Sequence, residues 1–294
     1  MDITDSIIDY RRYLKRRNYS PHTVKNYLNA LKQFVVWADV PIEEVNRMNI
    51  KQYIDHLYIR RLLPKTINCH LNSIRMFYDF LGFEVGVRVS NPIGKGLSLR
   101  VPKPLPRFLT DDEISSFFAV VKMLRDRAIF MVMLRCGLRV EEAANIHLQD
   151  VDILRKRLHV RKGKGSKERV VYISEDACSA LERYLAGRPR SRACQMFLVE
   201  KGPCSGQAIS VRGIQKRMEY YAKKSGVEVS CHRLRHTMAT QLLNAGADIA
   251  TIQDLLGHNW ITTTQRYCKV SNLKVQKDYD AAIKKVMERT GLNF

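Results

Sequence analysis

Between residues 86 and 106 every hydrophobic periodicity stops, and the stretch is punctuated by Asn91-Pro92, Gly94, Gly96, Pro102, Pro104 and Pro106. No helix or strand interior tolerates proline and glycine at that density. The 294-residue chain is therefore expected to form two parts, residues 1–85 and 107–294, joined by a linker at 86–106. With 45% of its residues hydrophobic, it holds enough apolar surface for a core in each. Within the linker, Gly94-Lys95-Gly96 has a faint likeness to a phosphate loop, but no Ser or Thr follows Lys95 and no apolar strand precedes it, as such a loop requires.

The first part reads as helices. Ser20-Pro21 supplies a cap followed by proline at the first helical position, and Val24, Tyr27, Leu28, Leu31, Phe34 and Val35 follow as one buried stripe. Lys25, Asn29 and Lys32 fall on another face, open to phosphates or to water. An opening helix around Ile7 to Leu14, a stretch with Ile50, Tyr53, Ile54 and Leu57, and a stretch from Ile67 to Leu81, with Gly82 as its expected C′ residue, complete a helical bundle.

The second part opens with a capping box, Thr110 with Glu113, and an apolar helix from about Arg125 to Cys136 that stops at Gly137. Two β-rich runs, 157–161 and 169–173, flank Lys162-Gly163-Lys164-Gly165-Ser166-Lys167 and predict a hairpin with a basic tip. Helices return at about 175–186, 210–225, 232–245 and 248–256. The expected fold class is mainly α with a small antiparallel β-sheet (α+β).

A formal charge of +21, spread over both parts, points to a polyanionic partner, nucleic acid first. The seven cysteines are odd in number, scattered and never spaced Cys-x-x-Cys, which argues against a disulfide frame or a zinc knuckle and for reduced residues in the cytoplasm. The polar, acidic start Met1-Asp2-Ile3-Thr4-Asp5 is unlike a signal peptide. No apolar run reaches the roughly 18 residues of a membrane span, so neither export nor a membrane partner is expected.

Three local patterns carry chemistry. In Cys231-His232-Arg233-Leu234-Arg235-His236, helical spacing puts His232, Arg235 and His236 on one face. The two histidines have the spacing of a metal pair, but the arginines between and beside them oppose a cation and suit a phosphate. Gly137-Leu138-Arg139-Val140-Glu141-Glu142 sets Arg139 just past a glycine break, at the start of a helix whose two glutamates suit its positive end. Leu255-Leu256-Gly257-His258 ends a helix at Gly257, and Tyr267 follows nine residues after His258. Taken singly, each would be a structural or surface residue.

As an ordered set, two arginines, two histidines, a hairpin lysine and a late tyrosine, the chain resembles the tyrosine recombinase family, in particular its short Xer-like and integrase members. The resemblance runs from the helical first part through Gly137-Leu138-Arg139, Gly163-Lys164-Gly165, His232-x-x-Arg235-His236 and Leu256-Gly257-His258 to Tyr267. It implies an N-terminal core-DNA-binding domain and a C-terminal catalytic domain. Arg139, Lys164, His232, Arg235 and His258 would surround a scissile phosphate, with Tyr267 as nucleophile and neither metal nor other cofactor.

The implied partners are double-stranded DNA with inverted half-sites and further copies of the chain, as a tetramer on DNA, or a paralogous recombinase, with room for an accessory protein. Lys25, Lys32, Lys162, Lys167 and Arg169 are candidate DNA contacts, and a C-terminal helix bearing Tyr279, Ile283 and Met287 would dock on a neighbouring subunit. Two other readings share the residues: a type IB topoisomerase-like enzyme that relaxes DNA, and an accessory DNA-binding factor whose pocket only grips phosphate.

Overall fold

The computed structural model describes residues 3–94, 96–102, 107–161 and 168–257, which fall into two compact units divided after Lys103. In the N-terminal unit, α1 (Ile3–Arg16), α2 (Pro21–Ala38), α3 (Arg47–Ile59) and α4 (Pro64–Phe83) form a bundle in which α2 packs along α4. The Ser20 hydroxyl accepts from the Thr23 N–H at 3.1 Å, and Asn46 and Asn49 exchange the two bonds of a capping box at the start of α3, so orphan amides at both helix starts are satisfied. The core is aromatic and aliphatic, with Tyr10, Leu31, Phe34, Tyr53, Leu71 and Phe77 all buried. Two of its polar tips find partners: Tyr53 Oη and His70 Nδ1 lie 3.0 Å apart, and Tyr78 Oη donates to the Ile42 carbonyl at 2.8 Å.

Two expectations change here. Gly82 is not the C′ residue of α4, because the helix runs on to Phe83, the N–H groups of Glu84 and Val85 both donate to the Phe80 carbonyl, and the positive φ (75°) falls at Gly86. The stretch from Gly86 to Val101, expected as a linker, lies against the bundle: Ile93 is buried in its core, and the Asn68 side chain brackets Leu99 by accepting from its N–H and donating to its carbonyl, both at 2.8 Å.

The C-terminal unit is helical around a small sheet. α5 (Asp111–Val120) starts on the Thr110/Glu113 capping box. α6 (Leu124–Arg135) is buried on nearly every side, against α8 (Glu175–Ala186) and α10 (Cys231–Asn244), with an unbroken apolar run from Ala128 to Leu134. α7 (Val140–Ala144) leads to β1 (Val151–Asp152), β2 (Arg157–Val160) and β3 (Arg169–Tyr172), an antiparallel sheet in the order β1-β2-β3 whose last rung towards the hairpin tip pairs Val160 with Arg169. α9 (Val211–Ser225) and α11 (Ile249–Leu256) complete the unit. Among the described residues no helix is long and apolar enough to cross a membrane.

One buried ionic group ties α6 to α9. Asp126, with no exposed surface, accepts from Arg125 Nε and Nη2 at 2.9 and 2.7 Å on one oxygen and from Arg217 Nε and Tyr221 Oη at 2.7 and 3.2 Å on the other. Removing a single member strands the others in a dry site. Asp126→Ala is therefore expected to lower the stability of this unit by about 3 kcal/mol, read as an earlier thermal unfolding transition, with Arg217→Ala, whose side chain is a third exposed, milder.

Candidate active site

The site is built where four helix ends meet, those of α6, α7, α10 and α11. α6 terminates at Cys136, and Gly137 takes φ 63°. A Cβ there would stand 3.0 Å from Leu256 Cδ2 and 3.1 Å from Met238 Sδ, so both backbone conformation and space call for glycine. Two residues on, Arg139 is the N-cap of α7: its N–H donates to Glu142 Oε2 at 2.9 Å and its Nη1 to Glu142 Oε1 at 2.7 Å. α10 begins on the Ser230 cap and carries His232 and Arg235 one turn apart. Arg235 is buried, with 1% of its surface exposed, and donates from Nη1 to the Gly137 carbonyl at 2.5 Å and from Nη2 to the Leu256 carbonyl. His232 is exposed and its ring meets that of His236 edge-on, centroids 4.2 Å apart.

Arg139, His232 and Arg235 line one cleft of about 580 Å³ together with Arg212, Gln215 and Glu219 of α9. Two guanidinium groups and an imidazole on a shared concave wall suit an anion with several oxygens. Among the described residues no group of three or more His, Cys, Asp or Glu side chains could hold a metal ion.

Behind the cleft lies a carboxylate that sequence reasoning missed. Glu142, with its side chain 4% exposed, accepts from Arg139 and also takes the fork of Arg169, Nη1 to Oε1 at 3.0 Å and Nη2 to Oε2 at 2.8 Å, and its Oε2 lies 3.9 Å from Arg235 Nη1. Burial alone would push its carboxyl up, but the hydrogen bonds and charges of Arg169 and Arg139 outweigh it and bring the group down to about 2. The same three arginines hold three successive carbonyls at the end of α11. Arg169 Nε donates to Leu255 at 2.8 Å, Arg235 Nη2 to Leu256, and Arg139 Nη2 reaches Gly257 at 3.4 Å. These carbonyls are the negative end of the helix.

Of the residues predicted from the sequence, Arg139, His232 and Arg235 are brought together. Lys25 and Lys32 are exposed on α2 of the N-terminal unit. Arg169, expected as a DNA contact, is turned inward, its side chain 10% exposed, because Glu142 and the Leu255 carbonyl of α11 claim its donors. Lys162, Lys164, Lys167, His258, Tyr267 and the tail with Tyr279, Ile283 and Met287 lie outside the described residues. Two signals could have found the missed pair: Arg139-x-x-Glu142 has cap-to-N3 spacing, and Arg169 precedes core residue Val171 by two, which puts it on the core face of its strand.

Residues 107–274 match the phage integrase family, and residues 7–82 match the phage integrase N-terminal SAM-like domain. The chain belongs to the phage integrase family. It is 32% identical over 285 residues to the tyrosine recombinase XerA of Thermococcus kodakarensis, covering 96% of this chain and 97% of the relative, and 34% identical over 305 residues to the tyrosine recombinase XerC of Syntrophus aciditrophicus, covering 94% and 96%. Among solved structures, a lambda integrase dimer bound to a core site shares the fold with a TM-score of 0.75 at 17% identity, covering 91% of this chain and 95% of that one. XerH bound to its palindromic difH substrate gives 0.74 at 19%, covering 90% and 80%. This member of the family is a site-specific tyrosine recombinase, an enzyme that cleaves and rejoins DNA by transesterification, without ATP or a metal.

The depressed Glu142 carboxyl carries a pH prediction. Its folded-state value lies below the ordinary 4.5, so its contribution to stability is complete above about pH 4.5 and is lost as pH falls towards about 2, some 3 kcal/mol in all. Acid unfolding of the Glu142→Gln protein should lack that part of the slope while starting from a lower stability at pH 7; parallel acid transitions for both proteins would contradict it.

Proposed function

We propose that the enzyme cuts one DNA strand by attack of the Tyr267 phenolic oxygen on a backbone phosphate. As the Tyr267 Oη–phosphorus bond forms, the phosphorus–O5′ bond breaks, leaving a 3′-phosphotyrosyl link and a free 5′ hydroxyl. Arg139 and Arg235 take the two non-bridging oxygens, where charge gathers at the five-coordinate stage. A phenol with a reference pKa of about 10 needs help at neutral pH; His232 receives its proton, and the cationic field of the pocket favours the phenolate. Lys164 gives a proton to the departing O5′, and His258 hydrogen-bonds the phosphate. Attack by the 5′ hydroxyl of a second strand reverses each bond change and completes exchange, since the phosphoester energy is kept in the tyrosyl link.

The observation that carries this reading is the convergence of Arg139, His232 and Arg235 on a single cleft, in a chain alignable along nearly its full length with tyrosine recombinases. We further infer two core sites of inverted half-sites bridged by four subunits, acting in dimer resolution or in integration and excision, with Lys25, Lys32, Lys162 and Lys167 on DNA phosphates, and a cytoplasmic location. Solved relatives bound to a core site and to a palindromic substrate support the half-site arrangement. Nothing favours DNA relaxation or a purely accessory role.

A nicked duplex that loses its 5′ fragment on cleavage should trap a covalent adduct with the wild-type protein and none with Tyr267→Phe. Equal trapping by both would remove Tyr267 from the reaction. Sequencing the DNA held in the adduct would define the core site. Truncation before Ala281 should leave trapping on one site intact while abolishing pairing of two sites, and unchanged strand exchange would show that the tail couples no subunits.

A further inference from the structure

Arg169 takes no step in the reaction above, yet its side chain bonds the same buried carboxylate as Arg139 and the same helix end as Arg235. It is the first residue of β3 and pairs with Val160 on the last rung before the segment that carries Lys164. The apolar anchors of the hairpin, Leu158, Val160 and Val171, lie at that rung or on the far side of it from the tip. From this position the guanidinium crosses to two other elements: both Nη atoms reach the Glu142 carboxylate on α7, at 3.0 and 2.8 Å, and Nε reaches the Leu255 carbonyl of α11 at 2.8 Å. The fit is close, since a Cβ on Gly257 would stand 3.2 Å from Arg169 Cδ and Nη1.

Neutralising Glu142 does not require this residue alone, because the Arg139 side chain and backbone N–H already bond both carboxylate oxygens. An apolar side chain would fill a core-facing strand position without the desolvation cost of a buried guanidinium. What only a fork with three used donors supplies is a rigid connection between the hairpin, the residue that orients Arg139, and the helix end held by Arg235.

We propose that Arg169 is a positioning residue for proton delivery to the leaving 5′ oxygen: it clamps the base of the β2–β3 hairpin to Glu142 and to the end of α11, holding the hairpin's proton donor in register with the phosphate that Arg139 and Arg235 bind. The inference rests on the reading of the hairpin, through Lys164, as the source of that proton.

A leaving group that needs no proton separates this role from a merely structural one. A nicked duplex built on a sequence captured by the wild-type protein is made in two forms, with oxygen or with sulfur at the 5′ bridging position of the scissile phosphate; the thiolate departs unprotonated. Arg169→Lys keeps the charge but can satisfy Glu142 or Leu255, not both. It should cleave the oxygen substrate at least about 10-fold more slowly than wild type in a single turnover and return to within about 3-fold of wild type on the sulfur substrate, as for a lost general-acid contribution.

Equal slowing on both substrates would overturn the proposal, because Arg169 would then serve only the phosphate-binding arginines. Wild-type rates on both would overturn it as well. If thermal unfolding shows Arg169→Lys to be unfolded, Arg169→Gln combined with Glu142→Gln is compared with Glu142→Gln alone, and sulfur must recover the additional loss. Lys164→Ala tests the underlying assignment separately: failure of sulfur to rescue it would remove Lys164 as donor, while rescue of Arg169→Lys would still decide the positioning role.

Discussion

The pocket depends on one buried carboxylate surrounded by guanidinium groups. Arg139, Arg169 and Arg235 would repel one another if gathered in a dry site without an anion, and Glu142, bonded to the first two and 3.9 Å from the third, is what lets them gather. The carbonyls of Leu255, Leu256 and Gly257 add the negative end of α11 to the same balance. One formal negative charge against three positive ones leaves a surplus of positive charge at the wall of the cleft. Because these partners fix the guanidinium groups in place, their donors are held ready for an anion with little reorganisation.

Much of the fold was legible because its signals are local. Ser20-Pro21, Thr110 with Glu113, and the glycines at 137 and 257 act through backbone groups within a few residues, and each starts or stops a helix where the sequence says so. Gly82 was misleading for the converse reason: glycine is favoured at C′ but does not by itself end a helix, and α4 stops where the Phe80 carbonyl takes both following N–H groups. The stretch after it was read as an aperiodic linker, and its packing on the bundle was not foreseen. Its attachment comes from Ile93 in the core and from Asn68 bonding Leu99, 31 residues away, contacts that no short window contains.

The site divides along the same line. Arg139, His232 and Arg235 could be picked out because their order along the chain matches a known set, and α10 spacing alone puts the last two together. Glu142 and Arg169 were hidden by more ordinary roles: a glutamate in the first turn of a helix is already explained by the helix dipole, and an arginine beside Lys162, Lys164 and Lys167 is already explained by a basic tip. Strand alternation contained the correction, since Arg169 shares its face with buried Val171 while Val170 and Tyr172 face solvent. Charge composition drew attention away from a pattern that burial would have settled.

The graded exposure of the three arginines then makes physical sense. Arg235 is sealed, with donors committed to the Gly137 and Leu256 carbonyls, Arg169 is nearly so, and Arg139 keeps about a quarter of its side chain open at the mouth. Each has to answer to the protein, and Arg139 and Arg235 also line the cleft. A planar group with five N–H donors in fixed directions can bond a carbonyl or carboxylate behind it and still present an edge forward, whereas an ammonium turns its donors together towards whichever acceptor is nearer. The pocket uses arginine where position must be held from two sides.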